Sequence, residues 1–238
     1  MSVFLAGNTP AIQYTAQVVN QQGIPVTQNP EWDVTDVLLD VPTFRPGGMT
    51  REQLDTLLAS LPVNVRLWGG NISVDGYACT DLLKYEPYLW DNAAITARCA
   101  LNLTQQNWDG CPVLILGWGR IGTHLAKLLT DQGAAVTLAV RNDIQKLRLC
   151  ALGYQAVNYS QLPPLLSGCR VVFNTVPHPV LHGTDLPENC MKIDLASHRG
   201  ITGDDVIWAR GLPGTHASEE SGQLIAETFL RLRKELNP

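Results

Sequence analysis

A glycine-rich turn between a buried strand and a helix is the feature that most constrains the fold of this chain. The apolar run Pro112 to Leu116 predicts the strand, and residues 123–131 carry apolar side chains at helical spacing. Between them lie Gly117, Trp118, Gly119, Arg120, Ile121 and Gly122, a G-x-G-x-x-G pattern. A strand, a glycine turn and a helix in this order predict a βαβ unit of a parallel sheet.

The three glycines of this loop each answer a steric demand of dinucleotide binding. Gly117 permits the tight turn, Gly119 lets a pyrophosphate approach the backbone, and Gly122 lets the helix pack closely on the strand. Free N–H groups and the positive end of the helix dipole then face the phosphates. We therefore predict a bound dinucleotide; the alternative is a glycine turn that no longer binds one. Arg120 can contact the pyrophosphate or point into solvent.

The end of the next predicted strand, residues 134–140, indicates which dinucleotide is bound. An NAD site usually has an acidic residue there for the ribose 2′-hydroxyl. This chain has Arg141 and Asn142 instead, so NADP is favoured. Asp143 leaves NAD possible, although it can equally cap the helix that begins there.

Alternating strands and helices predict an α/β protein with a division near residue 92. The first domain, 1–91, is predicted to be a smaller, flavodoxin-like α/β domain that binds substrate and contributes to catalysis. The second, 92–238, is predicted to be a Rossmann-type doubly wound parallel sheet, entered by a connecting helix at 92–106 and closed by a helix at 219–236.

Composition excludes several other functions. A net charge of −5 without a Lys/Arg cluster argues against nucleic acid and anionic membranes as partners. No window approaches the 18 apolar residues of a membrane span, and we expect a cytoplasmic protein. The six cysteines lack ligand spacing, so neither a metal site nor a disulfide framework is predicted.

Polar residues also gather where three later strands are predicted to end. Four of the five histidines lie between 178 and 216. The strands at 171–175, 191–195 and 206–210 are followed by loops rich in Pro, Gly, Ser, His and Arg. Ligands of open α/β sheets bind outside the carboxyl ends of the strands, so these loops are the candidate reaction site.

Four phrases in this region resemble the A subunit of dipicolinate synthase. They are Phe173-Asn174-Thr175-Val176-Pro177, Ile193-Asp194-Leu195-Ala196-Ser197, Gly211-Leu212-Pro213-Gly214 and Ser221-Gly222-Gln223-Leu224-Ile225. The resemblance covers the connecting helix and everything after it. It implies a relative of the D-2-hydroxyacid dehydrogenases that makes pyridine-2,6-dicarboxylate in sporulating bacteria, by removing hydrogen from a dihydrodipicolinate-type precursor with NADP. It also implies a homo-oligomer, taken as a homodimer, and a flavoprotein B subunit is a possible partner by the same resemblance.

Roles for individual side chains follow from the chemistry of hydride transfer, which needs orientation, a proton relay and charge complementarity. Arg199 is the predicted clamp for a substrate carboxylate, and Ser197 with the amides around Gly214, Thr215 and His216 can bind a second one. His216 is the first candidate for the proton relay, and His198 and His178 are the alternatives. Thr175, Val176 and Pro177 are predicted to line the cofactor, and Asp194 to contact it or to order its loop.

Three functions are compatible with these residues. The leading hypothesis is an NADP-dependent oxidoreductase that resembles the A subunit of dipicolinate synthase and converts a dicarboxylate. The alternatives are a non-catalytic NAD(P)-binding sensor or regulatory subunit, and a D-2-hydroxyacid dehydrogenase.

Overall fold

The structure, a computed structural model, describes residues 2–29 and 33–236; the outermost residues of the two predicted domain ranges, 1 and 237–238, lie outside it. The chain forms two compact units. The first unit ends at Asn92 and resumes at Pro213, and the second comprises Ala93–Leu212.

The first unit has a five-stranded sheet with flavodoxin-like topology. Its strands have the order β2-β1-β3-β4-β5, and every neighbouring pair is parallel. The elements are β1 (Ser2–Leu5), α1 (Pro10–Gln21), β2 (Val26–Thr27), β3 (Val34–Leu38), α2 (Arg51–Leu58), β4 (Arg66–Gly69) and β5 (Ala78–Asp81). The following helix, α3 (Glu86–Asn102), was predicted at 92–106; it begins six residues earlier and ends four residues earlier than predicted.

The second unit has the six-stranded parallel sheet of a Rossmann fold. Its elements are β6 (Pro112–Leu116), α4 (Arg120–Asp131), β7 (Ala135–Val140), α5 (Asp143–Ala151), β8 (Gln155–Asn158), α6 (Pro163–Leu166), β9 (Val171–Asn174), β10 (Leu181–His182), β11 (Met191–Asp194), β12 (Ile201–Thr202) and β13 (Val206–Trp208). The strand order β8-β7-β6-β9-β11-β13 is that of a doubly wound sheet. Successive strands are added to one side of β6 as far as β8 and then to its other side from β9 onward, so the switch point lies between β6 and β9. A separate parallel pair joins β10 to β12.

The central strand of this sheet is apolar because helices cover both of its faces. Val113, Leu114, Ile115 and Leu116 are all buried. Such a continuous apolar run is typical of parallel sheets, in contrast to the alternating pattern of sheets with one wet face. Strand β6 therefore holds the start of the glycine loop in a rigid position.

The last two helices, α7 (Leu212–His216) and α8 (Ser218–Leu236), correct the predicted division of the chain. Pro213 and the residues after it belong to the first unit, not to the Rossmann unit. Thr15 donates its hydroxyl to the carbonyl oxygen of Gly222 at 2.9 Å, and the rings of Trp68 and Phe229 meet edge to face at 4.8 Å. The apolar stripe of α8 is thus buried against α1 and its neighbours in the first unit. Within the described residues, no helix is long and apolar enough to cross a membrane.

Candidate functional site

A cleft of about 640 Å³ opens in the second unit where β6, β7 and β9 end. This is the side of the sheet at which the strand order reverses, where ligands of doubly wound folds bind. The cleft is lined by Gly117, Trp118, Gly119, Val140, Arg141, Gln145, Tyr159, Thr175, Val176, Pro177, His178, Pro179 and Val180. Seven of the predicted cofactor residues therefore line the cleft. One is Arg141, which follows the end of β7, and the others are Gly117, Trp118, Gly119, Thr175, Val176 and Pro177.

The glycine loop has the geometry that its pattern predicts. Gly117 has a φ of +96°, and a Cβ atom there would lie 2.7 Å from side-chain atoms of Thr175 and Val176. A Cβ atom on Gly122 would lie 2.4 Å from the carbonyl oxygen of Gly117. Gly119 differs, because a Cβ atom there would meet nothing within 4 Å. The first and third glycines thus serve packing, whereas the second borders open space.

Helix α4 begins at this open position without a capping side chain. Its N-cap residue is Gly119, which offers no side-chain oxygen to the first N–H groups of the helix. The helices α1, α2 and α5 are capped by Thr9, Thr50 and Asn142. An uncapped helix start with its positive dipole end is a ready site for a phosphate group. Of the other loop residues, Gly122 is buried and Arg120 and Ile121 are half-buried; none of the three lines the cleft.

The end of the cleft at β7 carries a positive charge and no acid. Arg141 is exposed there beside Gln145 and Tyr159. Burial raises the pKa of the Tyr159 hydroxyl, while the nearby charge of Arg141 acts in the opposite direction. No Asp or Glu is among the residues that line the cleft.

The two residues after Arg141 are occupied elsewhere. Asn142 was predicted to bind cofactor, but its side-chain oxygen accepts the N–H of Gln145 at 2.8 Å and so caps α5. Asp143, the residue that left NAD possible, accepts a hydrogen bond from the side-chain amide of Asn158. Neither lines the cleft, so Arg141 is the residue of this turn that borders it.

The loop after β9 is fixed by side chains of two neighbouring strands. The Thr175 hydroxyl donates to the carbonyl oxygen of Leu116 at 2.9 Å, which ties this loop to β6. Asn174 accepts the N–H of Val176 and donates to the Val176 carbonyl and to a carboxylate oxygen of Asp194. Thr175, Val176 and Pro177 are thereby held along the wall of the cleft, and their contact with a cofactor stays a prediction.

Asp194 orders a loop and does not reach the cofactor cleft. Its side chain is fully buried, and its oxygens accept the N–H groups of Ala196, Gly200 and Ile201 as well as the Asn174 amide. Both carboxylate oxygens are buried, and each accepts two hydrogen bonds from the protein. The predicted contact of Asp194 with cofactor is therefore corrected to its alternative role, which is to order the loop.

The candidate substrate residues of the second unit lie outside the cleft lining. Ser197, His198 and Arg199 are exposed on the loop after β11, and none of them is among the lining residues. Ser197 and His198 bond to each other, hydroxyl to Nδ1, at 3.2 Å. The Arg199 guanidinium lies over the ring of Trp208, 5.1 Å from its centre. His178, the alternative for the proton relay, is the histidine that lines the cleft.

The remaining candidates belong to the first unit. Gly214, Thr215 and His216 are exposed on α7, and the Thr215 hydroxyl and His216 Nδ1 are 2.7 Å apart. The structure thus assigns the sequence candidates to two units. Within the described residues, no group of three or more His, Cys, Asp and Glu side chains is arranged to hold a metal ion.

Sequence reasoning missed Gln145, Tyr159, Pro179 and Val180 in the cleft wall. Tyr159 follows β8, and β8 pairs with β7 so that Asn158 lies opposite Val140. That register brings Tyr159 beside Arg141. The signal available was the strand itself, but β8 is a short edge strand of mixed polarity, and its sequence has no clear period.

Comparisons with known proteins place the chain near one group of enzymes. No family model matches it. The A subunit of dipicolinate synthase from Bacillus subtilis is 28% identical over 152 residues, which are 59% of this chain and 51% of that one, so the match spans about half of the relative. A shorter stretch of 89 residues, 36% of this chain, is 37% identical to 22% of glutamyl-tRNA reductase of Methanopyrus kandleri.

Solved structures show the same fold over nearly the whole chain. The A subunit of dipicolinate synthase from Bacillus halodurans superposes with a TM-score of 0.80 at 19% identity, covering 97% of each chain. A D-lactate dehydrogenase from Salmonella superposes with a TM-score of 0.64 at 14% identity, covering 98% of this chain and 96% of that one. The resemblance and the Rossmann-type fold predicted from sequence are thereby confirmed.

Proposed function

Starting from a chain that resembles the A subunit of dipicolinate synthase in sequence and fold, we propose that it is an NADP-dependent oxidoreductase acting on a dihydrodipicolinate-type dicarboxylate. The observation that carries the proposal is the cleft at the glycine loop. It combines the uncapped start of α4, a glycine that faces open space, Arg141 after strand β7, and a lining without acidic residues.

Different parts of the cleft suit different parts of a dinucleotide. Gly119 and the start of α4 suit the pyrophosphate, because backbone N–H groups can approach it without a side chain between them. Arg141 suits a 2′-phosphate, which its planar guanidinium can bind through two hydrogen bonds. Thr175 to His178 would line the nicotinamide half.

The proposed reaction removes two hydrogens from the substrate ring, one as a hydride and one as a proton. When bound, the nicotinamide ring supplies the hydride acceptor. The protein must then take up the proton, and we assign this step to His178 because it is the histidine that lines the cleft. Arg199, on the loop after the neighbouring strand β11, is assigned to a substrate carboxylate.

A second candidate function is a non-catalytic NADP-binding module that reports redox state. The observation in its favour is that Ser197, His198 and Arg199 are outside the cleft lining. The glycine loop and Arg141 serve both functions equally, so cofactor binding alone cannot separate them. His178 separates them, because a sensor has no need of a proton acceptor there.

Two measurements test the proposal in order. Titration calorimetry should show micromolar binding of NADPH to the wild-type chain. A Gly119→Val variant should lose this binding with only a small fall in melting temperature, because the new side chain meets no other atoms and the loss is confined to the N-cap of α4. The chain is then incubated with NADP and freshly prepared dihydrodipicolinate. Dipicolinate and NADPH should form together, and a His178→Gln variant should bind NADPH normally but form both products at least tenfold more slowly.

The outcomes discriminate the functions. Absence of binding of both NADPH and NADH would remove every nicotinamide-based function. Binding without products from dihydrodipicolinate, and without turnover of a 2-keto acid by NADPH, would leave the sensor. Turnover of the 2-keto acid alone would indicate a D-2-hydroxyacid dehydrogenase.

A further inference from the structure

Two arginine side chains share one exposed tryptophan at the edge of the Rossmann sheet. Trp208 ends β13 and is 38% exposed, and its indole N–H donates to the carbonyl oxygen of Ala196 at 3.0 Å. The guanidinium carbon of Arg199 lies 5.1 Å from the centre of its rings, and that of Arg210 lies 5.2 Å away. Both distances are within the range of a cation–π contact.

The indole keeps the two positive charges within about 10 Å of each other. Because both guanidinium carbons are just over 5 Å from the same ring centre, they can be no farther apart than about twice that distance. The hydrogen bond to Ala196 holds the ring against the loop that follows β11. Contact with this ring then helps to position both arginine side chains. Trp208 therefore acts as a scaffold for a pair of cations.

Neither charge has an ion-pair partner in the described part of the chain. Within residues 2–29 and 33–236, no Asp or Glu oxygen lies within 4.0 Å of a nitrogen of Arg199 or Arg210. Asp194, which ends β11, is buried and accepts hydrogen bonds from its own loop. Asp205 forms an ion pair with Lys192. Two exposed like charges at this separation repel each other, and an anion bound beside them relieves that repulsion.

The position of the pair relates it to the cofactor cleft. Arg199 follows β11 and Arg210 follows β13, so both lie at the carboxyl ends of their strands. Strand β11 pairs directly with β9, whose following loop lines the cleft. Adjacent strands are about 4.8 Å apart, so the pair lies one and two strand spacings along the same sheet edge.

We propose that Arg210 is a second substrate-binding arginine, and that Trp208 is the positioning residue that joins it to Arg199 as one site for substrate carboxylate. The inference rests on the proposed function and adds two residues to it. Planar guanidinium groups match a carboxylate through paired hydrogen bonds, and two of them suit a substrate with two carboxylates better than one with a single carboxylate.

The test is binding of pyridine-2,6-dicarboxylate and of pyridine-2-carboxylate to the full chain, measured by calorimetry in the presence of saturating NADPH. Arg210→Gln should weaken binding of the dicarboxylate about tenfold to a hundredfold. Binding of the monocarboxylate should change less, and Arg210→Lys should restore part of the lost affinity. Trp208→Phe should weaken binding of the dicarboxylate as well, with unchanged affinity for NADPH. The matched control is Arg148→Gln, an exposed arginine of the same unit on α5.

Trp208 also provides a local readout that does not depend on turnover. The dicarboxylate should change the tryptophan emission of the wild type, and the change should be absent in Trp208→Phe. If Arg210→Gln binds the dicarboxylate as well as Arg148→Gln does, the paired site is refuted while the proposed oxidoreductase stands. If the dicarboxylate alters Trp208 emission and no product forms from dihydrodipicolinate, the site stands and the proposed reaction fails.

Discussion

Replacing Arg141 by Gln should change the cofactor preference of the chain from NADPH toward NADH. Arg141 is the cation among the residues at the β7 end of the cleft, and no acidic residue lines the cleft beside it. A hydrogen bond to a charged group contributes about 1.5–3 kcal/mol, and exposure of both partners reduces that amount. Since Arg141 is exposed, we expect a loss of about 1–2 kcal/mol for NADPH, or roughly 5-fold to 30-fold in Kd.

The assay is calorimetric titration of each variant with both cofactors at two salt concentrations. NADH lacks the 2′-phosphate, so its Kd should move by less than about twofold. The difference between the two cofactors should shrink in wild type at higher salt, because an exposed charge pair is screened. Arg148→Gln is the matched control, since it removes an exposed arginine from the same unit without touching the cleft. Equal losses for NADPH and NADH, or none for either, would refute the role of Arg141.

Three further predictions concern the loop, its support and the buried thiols. Gly117→Ala should lower the free energy of unfolding by about 1–3 kcal/mol, because φ is +96° and the new Cβ meets Thr175 and Val176. Gly119→Ala should cost less, about 0.5–1 kcal/mol from the N-cap of α4, and should weaken cofactor binding. Asp194→Ala should cost about 2–4 kcal/mol in the same urea assay, because it leaves several buried N–H groups unpaired, and an unchanged midpoint would contradict its loop-ordering role. Burial raises the pKa of the Cys190 thiol to about 11, so iodoacetamide at pH 8 should label exposed Cys150 and leave Cys190 unlabelled until the chain is unfolded, as mass spectrometry of the peptides would show.

The central strands and the glycine loop are predictable because their physical demands are written locally. Strand β6 has the predicted bounds, Pro112–Leu116, since a strand covered on both faces needs an uninterrupted apolar run. Gly122 is required by its close approach to the carbonyl oxygen of Gly117, five residues earlier. Gly117 is required by its own positive φ and by contact with Thr175 and Val176 after the neighbouring strand β9. The position of the glycine loop at the end of β6 can therefore be predicted from the sequence without coordinates.

The remaining errors arise where one pattern serves several tertiary arrangements. The apolar stripe of α8 indicates that one face is buried, but it does not indicate which sheet covers that face. A polar residue at the end of a buried strand is equally compatible with binding a ligand and with ordering the loop, and Asp194 does the second. Tyr159 enters the cleft through the register of β8 on β7, which no local pattern specifies.

Because α8 packs in the first unit, the order in which the chain is synthesised differs from the order in which its units become complete. The Rossmann unit is a continuous segment, Ala93–Leu212, whose last strand is available as soon as residue 212 has been made. The first unit needs Gly222 for Thr15 and Phe229 for Trp68, so it lacks part of its core until residue 229 has been made. A truncation after residue 212 would consequently damage the amino-terminal sheet and leave the cofactor cleft intact, although the deleted residues are far from that sheet in sequence.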